Sequence, residues 1–240
     1  MPVVAVVGAK GGCGASLVAT NLALALARYG ETLLVDLHVG DAGDDLLLDL
    51  RPERSWADLL PVAGELTARH LELTLWTHPS GLRLLAGPAA GSESDGQERW
   101  LPLLRSLTQL FAWTVIDPSP SLSTPTLLTA SDLLVIVTTA DPPALRAAQR
   151  RLASLPAPVR ARARLVLNQF TRAHPAHPTS VADSLGCTLL AVLPTDPRAV
   201  GFQVNFGRPC ALDAQSAFGR GVAGMARTLA AKTTAGRAAA

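Results

Sequence analysis

Lysine is nearly missing from this chain. Only Lys10 and Lys232 occur among its 21 basic residues, the rest being arginine. A lysine at any one place is therefore informative, and Lys10 lies in a glycine-rich loop. Long apolar runs are missing as well, although hydrophobic residues make up 48% of the 240 residues. No run approaches the roughly 18 residues of a membrane span, so no transmembrane segment is expected. Residues 1 to 8 lack a basic n-region and lead straight into the loop, which predicts no signal peptide. Cysteine is scarce too. Cys13, Cys187 and Cys210 have no metal-ligand spacing and leave one unpaired, as in a reducing cytoplasm. A formal charge of +2 says little about partners. Length and composition allow one large α/β domain or two small ones.

What is present is organised around residues 8 to 16, Gly8-Ala9-Lys10-Gly11-Gly12-Cys13-Gly14-Ala15-Ser16. The run Val3 to Val7 before them is short and rich in β-branched residues, which predicts a buried strand. The segment Leu17 to Arg28 after them reads as a helix. Strand, glycine loop and helix form the setting of a phosphate loop, in which backbone N–H groups and the helix N-terminus face an anion. The pattern G-x-x-x-x-G-K-[ST] is met by Gly8, Gly14 and Ser16, with Ala15 at the lysine position.

Further strands are expected at Thr32–Asp36, Gly81–Pro88, Trp113–Asp117, Asp132–Thr139, Leu165–Asn168 and Thr188–Pro194. The second strand ends in Asp36 and is followed by Leu37-His38-Val39-Gly40-Asp41-Ala42-Gly43-Asp44-Asp45, either a solvated turn or a ligand loop beyond a strand's carboxyl end. The strand ending in Asp117 has the Walker B form, placing an acid for magnesium opposite Ser16. A helix from Glu98 to Phe111 presents Trp100, Leu103, Leu104, Leu107 and Leu110 as a core stripe. Pro142-Pro143 opens another helix. Its Arg146, Arg150 and Arg151, with Arg160, Arg162 and Arg164, form either a basic patch for DNA or acidic lipid, or a solvated face beside a loop broken by Pro156 and Pro158. A last helix runs from Ser216 through Leu229. The order predicts an α/β fold of three layers, α/β/α, around a mostly parallel sheet. It forms one domain over residues 1–230, with a flexible tail at 231–240.

Lys10-Gly11-Gly12 and Ser16 resemble the deviant phosphate loop K-G-G-x-x-K-[ST] of the MinD/ParA family of P-loop ATPases. The resemblance extends over about residues 3 to 230 and implies ATP or ADP and Mg2+ as ligands. Gly8, Lys10, Gly11, Gly12, Cys13, Gly14, Ala15, Ser16, Leu17, Asn168, Pro194 and Asp196 would bind the nucleotide, Asn168 at its adenine. Ser16, Asp36 and Asp117 would hold the metal. Relatives carry D-x-D after the second strand, where the second acid helps activate water; Asp36 matches and His38 stands in the second place. Lys10 would act in trans, across a homodimer that sandwiches nucleotide. Three phrases resemble the CpaE/TadZ pilus-assembly branch: Gly14-Ala15-Ser16, Gly81 to Ala86, and Asp117-Pro118-Ser119-Pro120-Ser121-Leu122-Ser123. That branch implies partners in a pilus or secretion assembly, and a cytoplasmic protein recruited to a cell pole or inner membrane surface. No receiver-like domain is expected ahead of the first strand.

Losing a lysine–phosphate bond costs about 1.5 to 3 kcal/mol, roughly a tenfold to hundredfold weakening. Ala15 and His38 together thus predict retained binding with weak or absent hydrolysis. The rivals are an active partitioning ATPase, using His38, Asp41 or Asp44, and a scaffold without nucleotide.

Overall fold

A computed structural model describes residues 1–40, 43–89 and 100–238. Asp41, most of the loop expected from Ala89 to Gly96, and the helix start expected at Glu98 lie outside the described residues. Eight strands form one sheet: β1 (Val3–Gly8), β2 (Thr32–Leu37), β3 (Trp76–Thr77), β4 (Arg83–Leu85), β5 (Trp113–Pro118), β6 (Leu133–Thr138), β7 (Ala163–Phe170) and β8 (Thr188–Pro194). Their order is β3-β4-β2-β5-β1-β6-β7-β8. Every pairing is parallel except that of β3 with β4 at the edge. The expected three-layer fold is therefore the observed one.

The period of two along each strand sends alternate side chains to opposite faces. On β1, Val4 and Val6 enter one core with Leu22, Leu26, Phe218, Val222 and Met225. Its other face supplies Val3 to a second core with Leu103 and Leu107, and Ala5 and Val7 to a third with Leu152 and Val159. Helices thus cover both faces, and the central strands read as unbroken apolar runs because neither face meets water. The helices are α1 (Ala15–Leu26), α2 (Asp44–Leu47), α3 (Trp56–Leu59), α4 (Ala68–Thr74), α5 (Trp100–Thr108), α6 (Pro125–Ala130), α7 (Pro142–Ser154), α8 (Ala157–Ala161), α9 (Pro178–Ser184), α10 (Pro197–Phe206) and α11 (Ala217–Ala238).

Local expectations were revised, strand bounds among them: β4 is shorter than the expected Gly81–Pro88 and β7 longer than Leu165–Asn168. Leu110 is 52% exposed and leaves the predicted stripe, because α5 stops at Thr108 and a turn rotates Leu110 outward. The segment expected as a proline-broken loop forms α8, with Pro158 in its first turn, where a missing N–H costs nothing. The last helix runs on to Ala238, past Leu229. Asp44, in a loop that could have been a solvated turn, is fully buried.

Strand β1 lies between β5 and β6, so successive connections diverge on either side of it. The crevice beyond its carboxyl end is where an open α/β sheet receives ligands. Leu22, fully buried between sheet and α11, holds α1 at that point. Leu22→Ala is expected to lower unfolding stability by about 2 to 5 kcal/mol, measured by denaturant titration.

Candidate nucleotide and metal site

The loop between β1 and α1 is held by backbone rather than by its own side chains. Gly14 takes the left-handed conformation, φ 85°, and no side chain caps the helix that follows. The first-turn N–H groups of α1 therefore remain for an external anion. A Cβ at Gly14 would lie 2.5 Å from Asn168 Nδ2, so glycine is needed there for space as well as for its φ. Asn168 Nδ2 donates to the Cys13 carbonyl at 2.9 Å, and Asn168 Oδ1 accepts from the N–H of Gln169 at 2.9 Å. The Ala9 N–H donates to the Val137 carbonyl at 2.8 Å. Both ends of the loop are thereby tied to neighbouring strands.

Beyond the loop opens a cavity of about 470 Å³, lined by Gly8, residues 10–17, His38, Asp117, Pro118, Pro120, Ser123 and Arg151. Asp117 lines it, and further acids lie behind. Asp36 and Asp117 are register partners on β2 and β5, and both are buried. Asp36 Oδ1 accepts from the His38 backbone N–H at 2.9 Å and meets His38 Nδ1 at 2.8 Å. His38 Nδ1 is also 3.6 Å from Asp117 Oδ2. On the far side of Asp36, the Asp44 N–H reaches Asp36 Oδ2 at 3.4 Å, and Thr20 Oγ1 lies 2.7 Å from Asp44 Oδ1.

Three buried carboxylates this close cannot all ionise without a counter-charge. Burial pushes the Asp117 pKa up to about 7, against the hydrogen bond from Ser16 and the His38 charge, which lower it. Burial likewise raises Asp44 well above the usual carboxylate range, with the Asp117 and Asp36 charges adding to it. His38 is raised by its hydrogen bond to Asp36, burial opposing, with the Asp117 and Asp36 charges also raising it. A protonated His38 thus partly neutralises the two acids beside it.

The same donors fit a divalent cation. One ligand atom each from Asp36, His38 and Asp117 lie within 4.8 Å of one another. Asp117 Oδ2 is buried without a hydrogen-bond partner among the described residues. Carboxylate oxygens with a nearby hydroxyl suit magnesium. The imidazole suits it less and serves here as the proton-bearing counter-charge.

The structure brings together Gly8, Lys10 to Leu17, His38 and Asp117 at the cavity, with Asp36 just behind. Asn168 braces the loop from outside the lining. Pro194 ends β8, and Asp196 caps α10 through the Ala199 N–H at 3.2 Å; neither lines the cavity. Sequence reasoning assigned no role to Thr20, one turn beyond Ser16. It placed Arg151 in a surface patch, although its spacing of three from Ala148 and seven from Ala144 marks a helix face turned inward.

Residues 1–178 match the family described as cellulose biosynthesis protein BcsQ. The antiactivator FleN of Pseudomonas aeruginosa is 41% identical over 93 residues, 38% of this chain and 31% of FleN, so the chain spans about a third of that relative. The ParA family ATPase of Chlorobium tepidum superposes with a TM-score of 0.85 at 22% identity, covering 94% of this chain and 98% of that one. The septum site-determining protein MinD of Pyrococcus horikoshii, solved with Mg-ADP, gives 0.78 at 20% identity, covering 95% of each chain.

The raised pKa values have a defined sign. An acid whose folded value exceeds its unfolded one stabilises the fold below the unfolded pKa, and that contribution is lost as pH rises through the folded value. For Asp117 the window runs from 3.8 to about 7, and His38, raised above 6.5, acts in the same direction. The melting temperature of the nucleotide-free protein should therefore fall as pH rises through this window, and Asp117→Asn should flatten the profile in a thermal denaturation series.

Proposed function

The chain belongs to the family described as cellulose biosynthesis protein BcsQ, and with it to the MinD/ParA type of P-loop proteins, and from this premise we propose that it binds a magnesium nucleotide between two copies of itself and turns that nucleotide over slowly or not at all. One juxtaposition carries the reading: an uncapped helix N-terminus and a buried acid cluster share one cavity. The amides suit phosphate oxygens. Ser16, Asp36 and Asp117 would hold magnesium, which when bound offsets charge on the terminal phosphates.

Two substitutions support slow turnover. Ala15 brings no charge to the phosphates. His38, already engaged with Asp36 at 2.8 Å, has its proton committed to charge balance and is poorly placed to accept another from water. Lys10 is exposed at the mouth of the cavity, a position consistent with action in trans. Asn168, Pro194 and Asp196 remain candidates for nucleotide binding, Asn168 at the adenine.

The family description favours a cell-envelope polysaccharide machine as the assembly this dimer positions; a pilus or secretion assembly is the second reading, favoured by the three phrases noted above. Among the described residues no helix is long and apolar enough to cross a membrane, so recruitment to a pole or inner membrane surface would depend on partners. DNA binding is not favoured. Arg162 donates to the carbonyls of Leu128 and Thr129, and Arg164 to those of Ala161 and Ala163, and Arg151 turns towards the cavity, which leaves Arg146, Arg150 and Arg160 as the exposed part of the supposed patch.

Calorimetric titration with ATP and magnesium, beside a phosphate-release assay, is expected to give binding with turnover near background. Lys10→Ala should abolish nucleotide-dependent dimerisation in light scattering. Absence of binding heat would overturn the reading in favour of a scaffold. Turnover stimulated by DNA, lipid or a partner protein would favour an active partitioning ATPase.

A further inference from the structure

Helix α7 carries three arginines, and only one turns inward. Arg146 and Arg150 are exposed, whereas Arg151 is half-buried. The helical repeat explains the difference. Ala144, Ala148 and Leu152 form the buried stripe, and Arg151 flanks it one turn after Ala148. Arg151 lines the cavity, as do Pro120 and Ser123.

Its charge is unbalanced there. Arg151 joins none of the ion pairs found among the described residues. A partly desolvated cation without an acid is unfavourable by itself and becomes favourable when an anion arrives. Besides His38, which is engaged with Asp36, the described lining of the cavity holds the cations Lys10 and Arg151. Lys10 is exposed, and the position from which a phosphate loop ordinarily extends its own lysine is Ala15. A guanidinium can bond phosphate oxygens through two parallel N–H donors.

We propose that Arg151 is a nucleotide-binding residue that contacts the terminal phosphates in cis and supplies the charge Ala15 lacks. The proposal rests on the nucleotide reading above. It places Arg151 at the terminal phosphates because Arg151 shares its cavity with Ser16 and Asp117, the side that would meet magnesium, and magnesium bridges the last two phosphates of a triphosphate. The charge would then come from α7, which packs on the face of the sheet opposite α1.

The test is calorimetric titration of the full chain with Mg-ATP and Mg-ADP. Arg151→Ala should weaken ATP about tenfold to a hundredfold, and ADP less. Arg146→Ala, on the same helix but exposed, should change neither by more than about twofold. Adding Ala15→Lys to Arg151→Ala should restore most of the lost ATP affinity. Unchanged melting temperatures establish that the variants fold, and Arg151→Gln replaces the alanine variant if that one does not. ATP affinity unchanged in the Arg151 variants, an equal loss in Arg146→Ala, or no rescue by Ala15→Lys overturns the proposal. If the unmodified chain binds no ATP, the nucleotide reading fails with it; if it binds and the Arg151 variants bind equally, only the role of Arg151 fails.

Discussion

The site depends on one buried amide. Asn168 reaches from β7 to the Cys13 carbonyl and passes so close to Gly14 that no side chain fits there. That bond spans 155 positions of sequence, so it exists only once the sheet has assembled. Leaving its buried partners unsatisfied would cost about 1 to 3 kcal/mol. With it in place, the loop turns through a left-handed glycine and α1 begins with its N–H groups aimed at the cavity. The same residue was expected to recognise a base. Its amide is already occupied in bracing the loop, so any base contact would have to be shared with that work.

Charge balance is the second constraint. Parallel pairing sets Asp36 beside Asp117, and burial makes two negative charges there unfavourable together. Three devices relieve the conflict: a proton on His38, a proton shared among the carboxylates, or a bound cation. Thr20 enters here as well. Its hydroxyl faces both the Ser16 carbonyl, at 2.8 Å, and Asp44 Oδ1, at 2.7 Å, yet it has one proton to donate. Its donation to Asp44 favours the ionised carboxylate, against the burial that raises the Asp44 pKa. The histidine at position 38 stands against both acids, 2.8 Å from Asp36 and 3.6 Å from Asp117.

Much of this was legible in residue order. Val3 to Val7, Trp113 to Asp117 and Thr188 to Pro194 are strands because β-branched and apolar residues recur without a helical period, and the last of these has the expected ends. Residues 8 to 16 announced a phosphate loop by the spacing of Gly8, Gly14 and Ser16 between a strand and a helix. Pro142-Pro143 opens α7 as expected, but Pro158 misled: it reads as a breaker in sequence and sits in a first turn. Asp44 read as loop because nothing local distinguishes a solvated acid from one enclosed by α1 and β2. Arg151 was grouped with its neighbours by charge, when its helical phase set it apart.

The chain by itself therefore determined its layered fold, the loop at the end of β1 and the two acids ending β2 and β5. These follow from periodicity, glycine spacing and the position of charge after an apolar run, all properties of neighbours in sequence. Only the tertiary structure decided that Asp36, His38 and Asp117 form one cluster, that Asp44 is enclosed with them, that Asn168 clamps the loop, and that Arg151 faces the cavity. Each of these joins residues from separate strands or helices, and their burial and charge balance arise only when the sheet brings those elements together.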